Sequence, residues 1–154
     1  MSEIKEGLKA PDFLLPDADG NKVSLKQFSG KKIVIYFYPK DMTSGCTKEA
    51  CDFRDSFPEF EKINAVIIGI SKDSVKSHTK FKEKYNLPFI LLSDENGEVC
   101  QKYGVWKEKS MYGKKYMGIE RTTFVLDENR KILKIFPKVK VDGHVDEVLK
   151  VVGK

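Results

Sequence analysis

Residues 31–50, KKIVIYFYPKDMTSGCTKEA, decide the fold. The run KKIVIYFY at 31–38 is continuously apolar and rich in β-branched and aromatic side chains. That is the pattern of a strand buried on both faces, not of one wetted at alternate residues. Pro39 ends it, because proline has no N–H for a ladder and holds the preceding residue extended. The loop KDMTSG follows, with Thr43 or Ser44 able to cap a helix. Apolar or aromatic side chains at Cys46, Ala50, Phe53, Phe57 and Phe60 then recur near helical spacing, which predicts one helix over 44–61. Cys46 therefore falls in the first helical turn after a buried strand.

The alternation continues outward from this unit. Strands are expected at 65–70 (AVIIGI), 89–92 (FILL) and 122–127 (TTFVLD). The turn DENR at 127–130 leads into KILKIF at 131–136, which reads as a β-hairpin. Helices are expected at 73–86, opened by Asp73 or Ser74, and more briefly near 97–103 and 143–152. PDFLLPDADGNKVSLKQF at 11–28 reads as a small hairpin about Asp19-Gly20-Asn21, and 105–118 as a loop. No repeat, low-complexity stretch or linker interrupts this order, so one α/β domain is expected over 1–154. The order suits a thioredoxin-like fold, a central mixed β-sheet flanked by helices, with an N-terminal β-hairpin.

Composition excludes several classes of function. The 28 basic and 23 acidic side chains are interleaved, so the net charge of +5 describes a solvated surface and not a nucleic-acid face. No stretch approaches the roughly 18 apolar residues that cross a bilayer, and MSEIKEGLKAPDF has no apolar core of a signal peptide. A soluble, cytoplasmic protein is expected. In a reducing compartment, three cysteines argue against a disulfide framework and for redox or metal chemistry.

Unpaired backbone N–H groups and the helix dipole at a first turn favour a thiolate, and Lys40 and Lys48 stand near Cys46 in sequence. Ionisation alone gains little. Taking a thiol from a pKa of about 8.5 to about 6 raises its thiolate fraction at pH 7 some 30-fold. The weaker nucleophile returns about 10- to 15-fold of that. A fast reaction needs donors fixed on the group under attack, which directs attention to the Thr43 hydroxyl and to Arg121. Arg121 opens RTTFVLD and is one of three arginines, with Arg54 and Arg130. Its planar fork could hold two acceptors at once, although an arginine that starts a strand is ordinarily exposed.

Cys46 and Cys51 are five residues apart. On an intact helix this separates their Cα atoms by about 8–9 Å, beyond the roughly 7 Å a disulfide spans. The pair could be a two-state device, reduced in the helix and oxidised in an opened one. Cys51 could equally be a small helix residue that happens to be cysteine.

The string FYPKDMTSGCTKEACDFRD, with the later RTTFVLD, resembles the peroxiredoxins, and most of all the atypical two-cysteine bacterioferritin comigratory protein or peroxiredoxin Q group. The likeness runs from APDFLLPDADG to the hairpin after Arg121 and includes the motif Pro39-x-x-x-Thr43-x-x-Cys46. It implies a peroxidase with no metal and no bound organic cofactor. By that resemblance Cys46 attacks the peroxide and Cys51 resolves the product as an intramolecular disulfide. Thr43 donates to or orients the peroxide, and Arg121 holds the thiolate and the polarised oxygens. Pro39 shields the site, and Glu49 partners the arginine. A thioredoxin- or glutaredoxin-type protein is the implied reductant. Ser44 departs from the proline that family members often carry there, which removes no catalytic group. A monomer is favoured, since both cysteines lie in one chain.

Other readings remain at this level. Cys100 is expected to be an inert packing residue, and His78 and His144 to lie on the surface, without metal-ligand spacing. Trp106, Met111, Tyr112 and Met117 could line a peroxide entrance, contact a partner, or simply pack. A redox-switched binding protein that exposes Phe53 and Phe57 on oxidation is the rival from another class, and a thiol–disulfide oxidoreductase is a weaker one.

Overall fold

A computed structural model describes residues 4–154. The elements in chain order are β1 (Leu14–Pro16), β2 (Lys22–Ser24), a 3-10 turn (Leu25–Phe28), β3 (Lys32–Phe37), α1 (Ser44–Asp55), α2 (Phe57–Lys62), β4 (Ala65–Ser71) and α3 (Val75–Tyr85). They continue with β5 (Ile90–Ser93), α4 (Glu98–Lys102), β6 (Trp106–Met111), β7 (Lys114–Ile119), β8 (Thr122–Leu126), β9 (Ile132–Phe136) and α5 (His144–Val152). Five strands form the central sheet in the order β5-β4-β3-β8-β9. β3, β4 and β5 run parallel, β8 runs antiparallel to β3, and β9 antiparallel to β8, so that β8 alone is reversed in this sheet. This is the mixed, thioredoxin-like sheet expected, with the N-terminal hairpin β1–β2 beside it.

β3 is central, and five of its six residues are buried, which explains its unbroken apolar run. Its side chains alternate between two cores. Ile33, Ile35 and Phe37 meet the N-terminal segment, α4 and the segment around Val105 and Ile119. Val34 and Tyr36, with Tyr38 just beyond the strand, meet α1, α2, α3 and α5 through Ala50, Phe53, Phe60, Phe81 and Val148. Phe53 is fully buried and stacks on Tyr36 at 4.7 Å between centroids. Burying such a side chain contributes about 1.5–3 kcal/mol, so the later half of α1 is pinned to the strand that leads to its start.

Three expectations are corrected. The helix over 44–61 is two helices broken at Ser56, because Pro58 in the first turn of α2 cannot donate to Arg54 and its ring crowds that carbonyl. The segment 105–118 is a hairpin, with Tyr112 and Gly113 both at positive φ in its two-residue turn. Its lysine-rich strands lack an apolar alternation and so resemble a loop in sequence. His78 and His144 are buried, not on the surface. His78 shares a helix face with Phe81 three residues on, a spacing that outweighs the charges around it. Among the described residues, no helix is long and apolar enough to cross a membrane.

Candidate active site

β3 ends at Phe37, and the chain passes Pro39 and Lys40 to reach Thr43, which sits at the N-cap of α1 with extended backbone. The Thr43 hydroxyl does not cap the helix. It donates to the Lys40 carbonyl at 2.9 Å, so its lone pairs stay open on an exposed loop. Cys46 lies in the first turn with a side chain almost wholly buried. Cys51 is on the same helix and half-buried, and all three cysteines are free thiols. Since α1 is continuous over both, Cys46 and Cys51 carry the helical separation that excludes a bond between them in this state.

Arg121, immediately before β8, reaches across the sheet to this turn. Its Nη1 donates to Glu49 Oε1 at 2.6 Å and its Nη2 to Cys46 Sγ at 3.3 Å. The fork therefore joins a carboxylate and a sulfur in one plane, which a lysine could not do. Glu49 is wholly buried, one turn after Cys46. Burial pushes its carboxyl up to about 7 against the opposing pull of Arg121. Lys48 is committed elsewhere, to Asp52 at 2.8 Å and Asp142 at 3.4 Å, so the cation in contact with the sulfur is Arg121.

Several members of this constellation have no sequence signal of their own. A Cβ on Gly45 would meet Arg121 Nη2 at 3.3 Å, so the missing side chain lets the guanidinium approach. Tyr36 is buried, and its hydroxyl and Glu49 Oε2 have no protein partner among the described residues. Burial, followed by the charges of Glu49 and Cys46, raises the Tyr36 phenol well above its ordinary value, so it remains a protonated donor. Tyr36 lies over Gly69 of β4, where a Cβ would stand 2.8 Å from its Cζ. The half-buried Lys109 from β6 is lowered by burial and by Arg121, while Cys46 pulls it the other way.

Away from the sulfur, Cys100 is buried, with its thiol pushed far up by burial and then by Asp94. Its burial is that of a packing residue. His144 Nε2 and the Thr123 hydroxyl are hydrogen-bonded at 2.8 Å, and burial with Arg121 lowers His144 to about 4, so it is neutral at pH 7. Asp41, Asp73 and His78 bring three potential metal-ligand atoms within 4.8 Å. Both His78 nitrogens are already engaged, by Asp41 and by the Leu92 carbonyl, which leaves no lone pair for a cation. Cys46, Cys51, His78 and His144 do not converge on one metal site. Cys46 is joined to Arg121, His78 to Asp41 and His144 to Thr123.

A thiol in a first helical turn, joined to an arginine on a thioredoxin-like sheet, defines a thiol-dependent peroxidase class of site. The AhpC/TSA family profile matches residues 7–135. The putative peroxiredoxin bcp of Coxiella burnetii is 58% identical over 146 residues, covering 95% of this chain and 97% of that one. Peroxiredoxin Bcp of Bacillus subtilis is 54% identical over 146 residues, covering 95% and 93%. The structure of a Xanthomonas campestris bacterioferritin comigratory protein, studied for alkyl peroxide reduction, superposes with a TM-score of 0.90 at 43% identity over 97% of this chain and 98% of that one. The chain belongs to the AhpC/TSA family and is a peroxiredoxin, an oxidoreductase acting on peroxides, similar to the Bcp and peroxiredoxin Q proteins.

Proposed function

We propose that the chain reduces hydrogen peroxide and organic hydroperoxides through a cycle carried by Cys46 and Cys51. The Cys46 thiolate attacks one peroxide oxygen. An S–O bond forms as the O–O bond breaks, and the departing RO⁻ takes a proton to leave as water or alcohol. Cys46 is oxidised by two electrons to a sulfenic acid. The Cys51 sulfur then attacks the sulfenic sulfur. An S–S bond forms, and the hydroxyl leaves as water with the thiol proton. A dithiol protein of thioredoxin or glutaredoxin type returns both cysteines to thiols, which suits a reducing compartment such as the cytoplasm. No metal or organic cofactor enters this cycle, and one chain suffices for it.

The observation that carries the reading is the Arg121 fork, 3.3 Å from Cys46 Sγ and 2.6 Å from Glu49 Oε1. In this role the guanidinium follows charge as it passes from sulfur to the departing oxygen, where a prepositioned donor is most effective. Glu49 fixes the fork, the Thr43 hydroxyl orients the peroxide with its open lone pairs, and Pro39 covers the site. Resolution requires the first turns of α1 to open. Phe53, two residues beyond Cys51, can stay in its pocket, so the opening forfeits only a few helical hydrogen bonds worth about 0.5–1.5 kcal/mol each.

The test is steady-state peroxide consumption with a thioredoxin-type reductant. Native protein turns over many times, Cys46→Ser not at all, and Cys51→Ser reacts once but does not cycle with that reductant. Undiminished turnover in Cys46→Ser would overturn the assignment. A single oxidation with no sustained consumption would favour a redox-switched binding protein instead.

A further inference from the structure

The loop that enters α1 is anchored by a buried group that the peroxide cycle does not touch. Asp41 stands two residues before Thr43 and five before Cys46, and is 4% exposed. Its carboxylate bonds one residue beyond β3 and two on α3. Tyr38, just past β3, donates its hydroxyl to Oδ1 at 2.6 Å, and Ser77 on α3 donates to Oδ2 at 2.8 Å. His78 on α3, fully buried, places Nδ1 2.7 Å from the same Oδ2. Asp73, between β4 and α3, accepts the Asp41 backbone N–H at 2.8 Å and the Ser71 hydroxyl at 2.6 Å.

Two acceptors order the hydrogens of this cluster, in which the Tyr38 hydroxyl also lies 3.5 Å from His78 Nδ1. The other nitrogen of His78, Nε2, faces the Leu92 carbonyl at 2.8 Å. A carbonyl only accepts, so Nε2 carries a hydrogen. Asp41 already accepts two hydroxyl donors, the pattern of an ionised carboxylate, so the hydrogen between Oδ2 and Nδ1 belongs to the nitrogen. We infer that His78 is an imidazolium paired with the Asp41 carboxylate, and that this buried pair is a positioning device for the loop bearing Thr43 and the first turn bearing Cys46.

The loop needs such a device. Met42, between Asp41 and Thr43, is exposed and lies at φ +67, a left-handed conformation that a side chain rarely adopts and that persists only where its surroundings enforce it. Asp41 is held at both its N–H and its carboxylate, so the strained residue departs from a fixed point. From there the Thr43 hydroxyl closes onto the Lys40 carbonyl and the Thr43 carbonyl receives the N–H of Thr47. Removing either charge leaves the other without its partner, so the survivor is neutralised, the charge-assisted bond is lost and the loop loses its fixed point.

The role in catalysis rests on the reading of Cys46 as the attacking sulfur; the charge state does not. The chain has two histidines, and His144 is neutral at pH 7, an internal reference. Nitrogen-15 NMR of the reduced full-length protein at pH 7 should show one imidazole with both nitrogens protonated, lost in His78→Gln, and one neutral ring. In Asp41→Asn the charged ring should become neutral. Stopped-flow oxidation of Cys46 by hydrogen peroxide should slow by between about 10- and 100-fold in Asp41→Asn and His78→Gln, the scale of a displaced reactive group. The double variant should be no slower than the worse single one. Ser77→Ala, which trims one donor at the rim of the cluster, should slow it by only about 2- to 5-fold and keep the charged ring. A neutral His78 in the native protein overturns the charge assignment. A folded Asp41→Asn or Ser77→Ala chain with the native rate overturns the positioning role. A native protein that does not react with peroxide instead refutes the proposed function, while the NMR result still decides the charge of the pair.

Discussion

Replacing Arg121 with methionine should have a large effect on rate and a small, pH-dependent effect on stability. The two can be worked separately. On the rate side, the variant loses the donor 3.3 Å from Cys46 Sγ. Loss of a prepositioned donor to a developing oxyanion costs about 10²–10³ in rate, or about 3–4 kcal/mol of transition-state stabilisation. On the stability side, breaking a fixed buried ion pair would cost about 3–5 kcal/mol. Glu49 has an escape, because its carboxyl already stands at about 7 in the native fold. Without the guanidinium it takes up a proton and remains buried as the neutral acid. At pH 7 the variant then loses about 1–2 kcal/mol, which for a chain of this size is about 3–8 °C in Tm. Above pH 7 the native carboxyl is ionised and held by Arg121, whereas the variant must still bind a proton. The stability gap should therefore widen by about 1.4 kcal/mol per pH unit. Stopped-flow oxidation of Cys46 and urea unfolding at pH 6, 7, 8 and 9 read both effects. A rate within threefold of native, or a stability difference that is flat from pH 6 to 9, would refute this reasoning.

Further outcomes follow from the same geometry. Glu49 binds its proton more tightly in the fold than in the unfolded chain, so its contribution to stability is complete below about pH 4.5 and is lost as pH rises through about 7. In Glu49→Gln the urea midpoint should lose that part of its decline between pH 4.5 and 7, and an unchanged slope would contradict the assignment. Gly45→Ala brings a methyl to 3.3 Å from Arg121 Nη2, displacing the guanidinium by a few tenths of an ångström. Cys46 oxidation should slow by about 3- to 10-fold while circular dichroism stays native; equal rates would mean that the fork has slack. Oxidation to the Cys46–Cys51 disulfide should release amide-exchange protection over 44–50 while the stacked Phe53 keeps that of the following turn. A proven disulfide with protection intact throughout α1 would show that the helix need not open.

The order of strands and helices was legible because β3, β4 and β8 are buried on both faces, and continuous apolar runs betray such strands without any knowledge of their neighbours. Local chemistry likewise marked Cys46 as a first-turn thiol, and the i,i+5 relation to Cys51 is fixed by helix geometry wherever the helix packs. The break at Ser56 and the β6–β7 hairpin were missed for opposite reasons. A proline in a second helix looks like a proline inside one, and a turn with tyrosine before Gly113 carries only half of the usual two-residue turn signal.

What no sequence reading supplied is the set of distances over long intervals of chain. Arg121 lies 75 residues from Cys46 and 72 from Glu49, and it reaches both because β8 pairs with β3 and brings the residue just before it beside the start of α1. The burial of Glu49, the space left by Gly45 and the placement of His78 under Asp41 are likewise products of packing. Residue types and local spacing determined which groups could do this chemistry. Whether a carboxyl stands at about 7, or a guanidinium donates to a sulfur, depends on desolvation and on charges brought together from distant segments. Those quantities exist only once the sheet has formed.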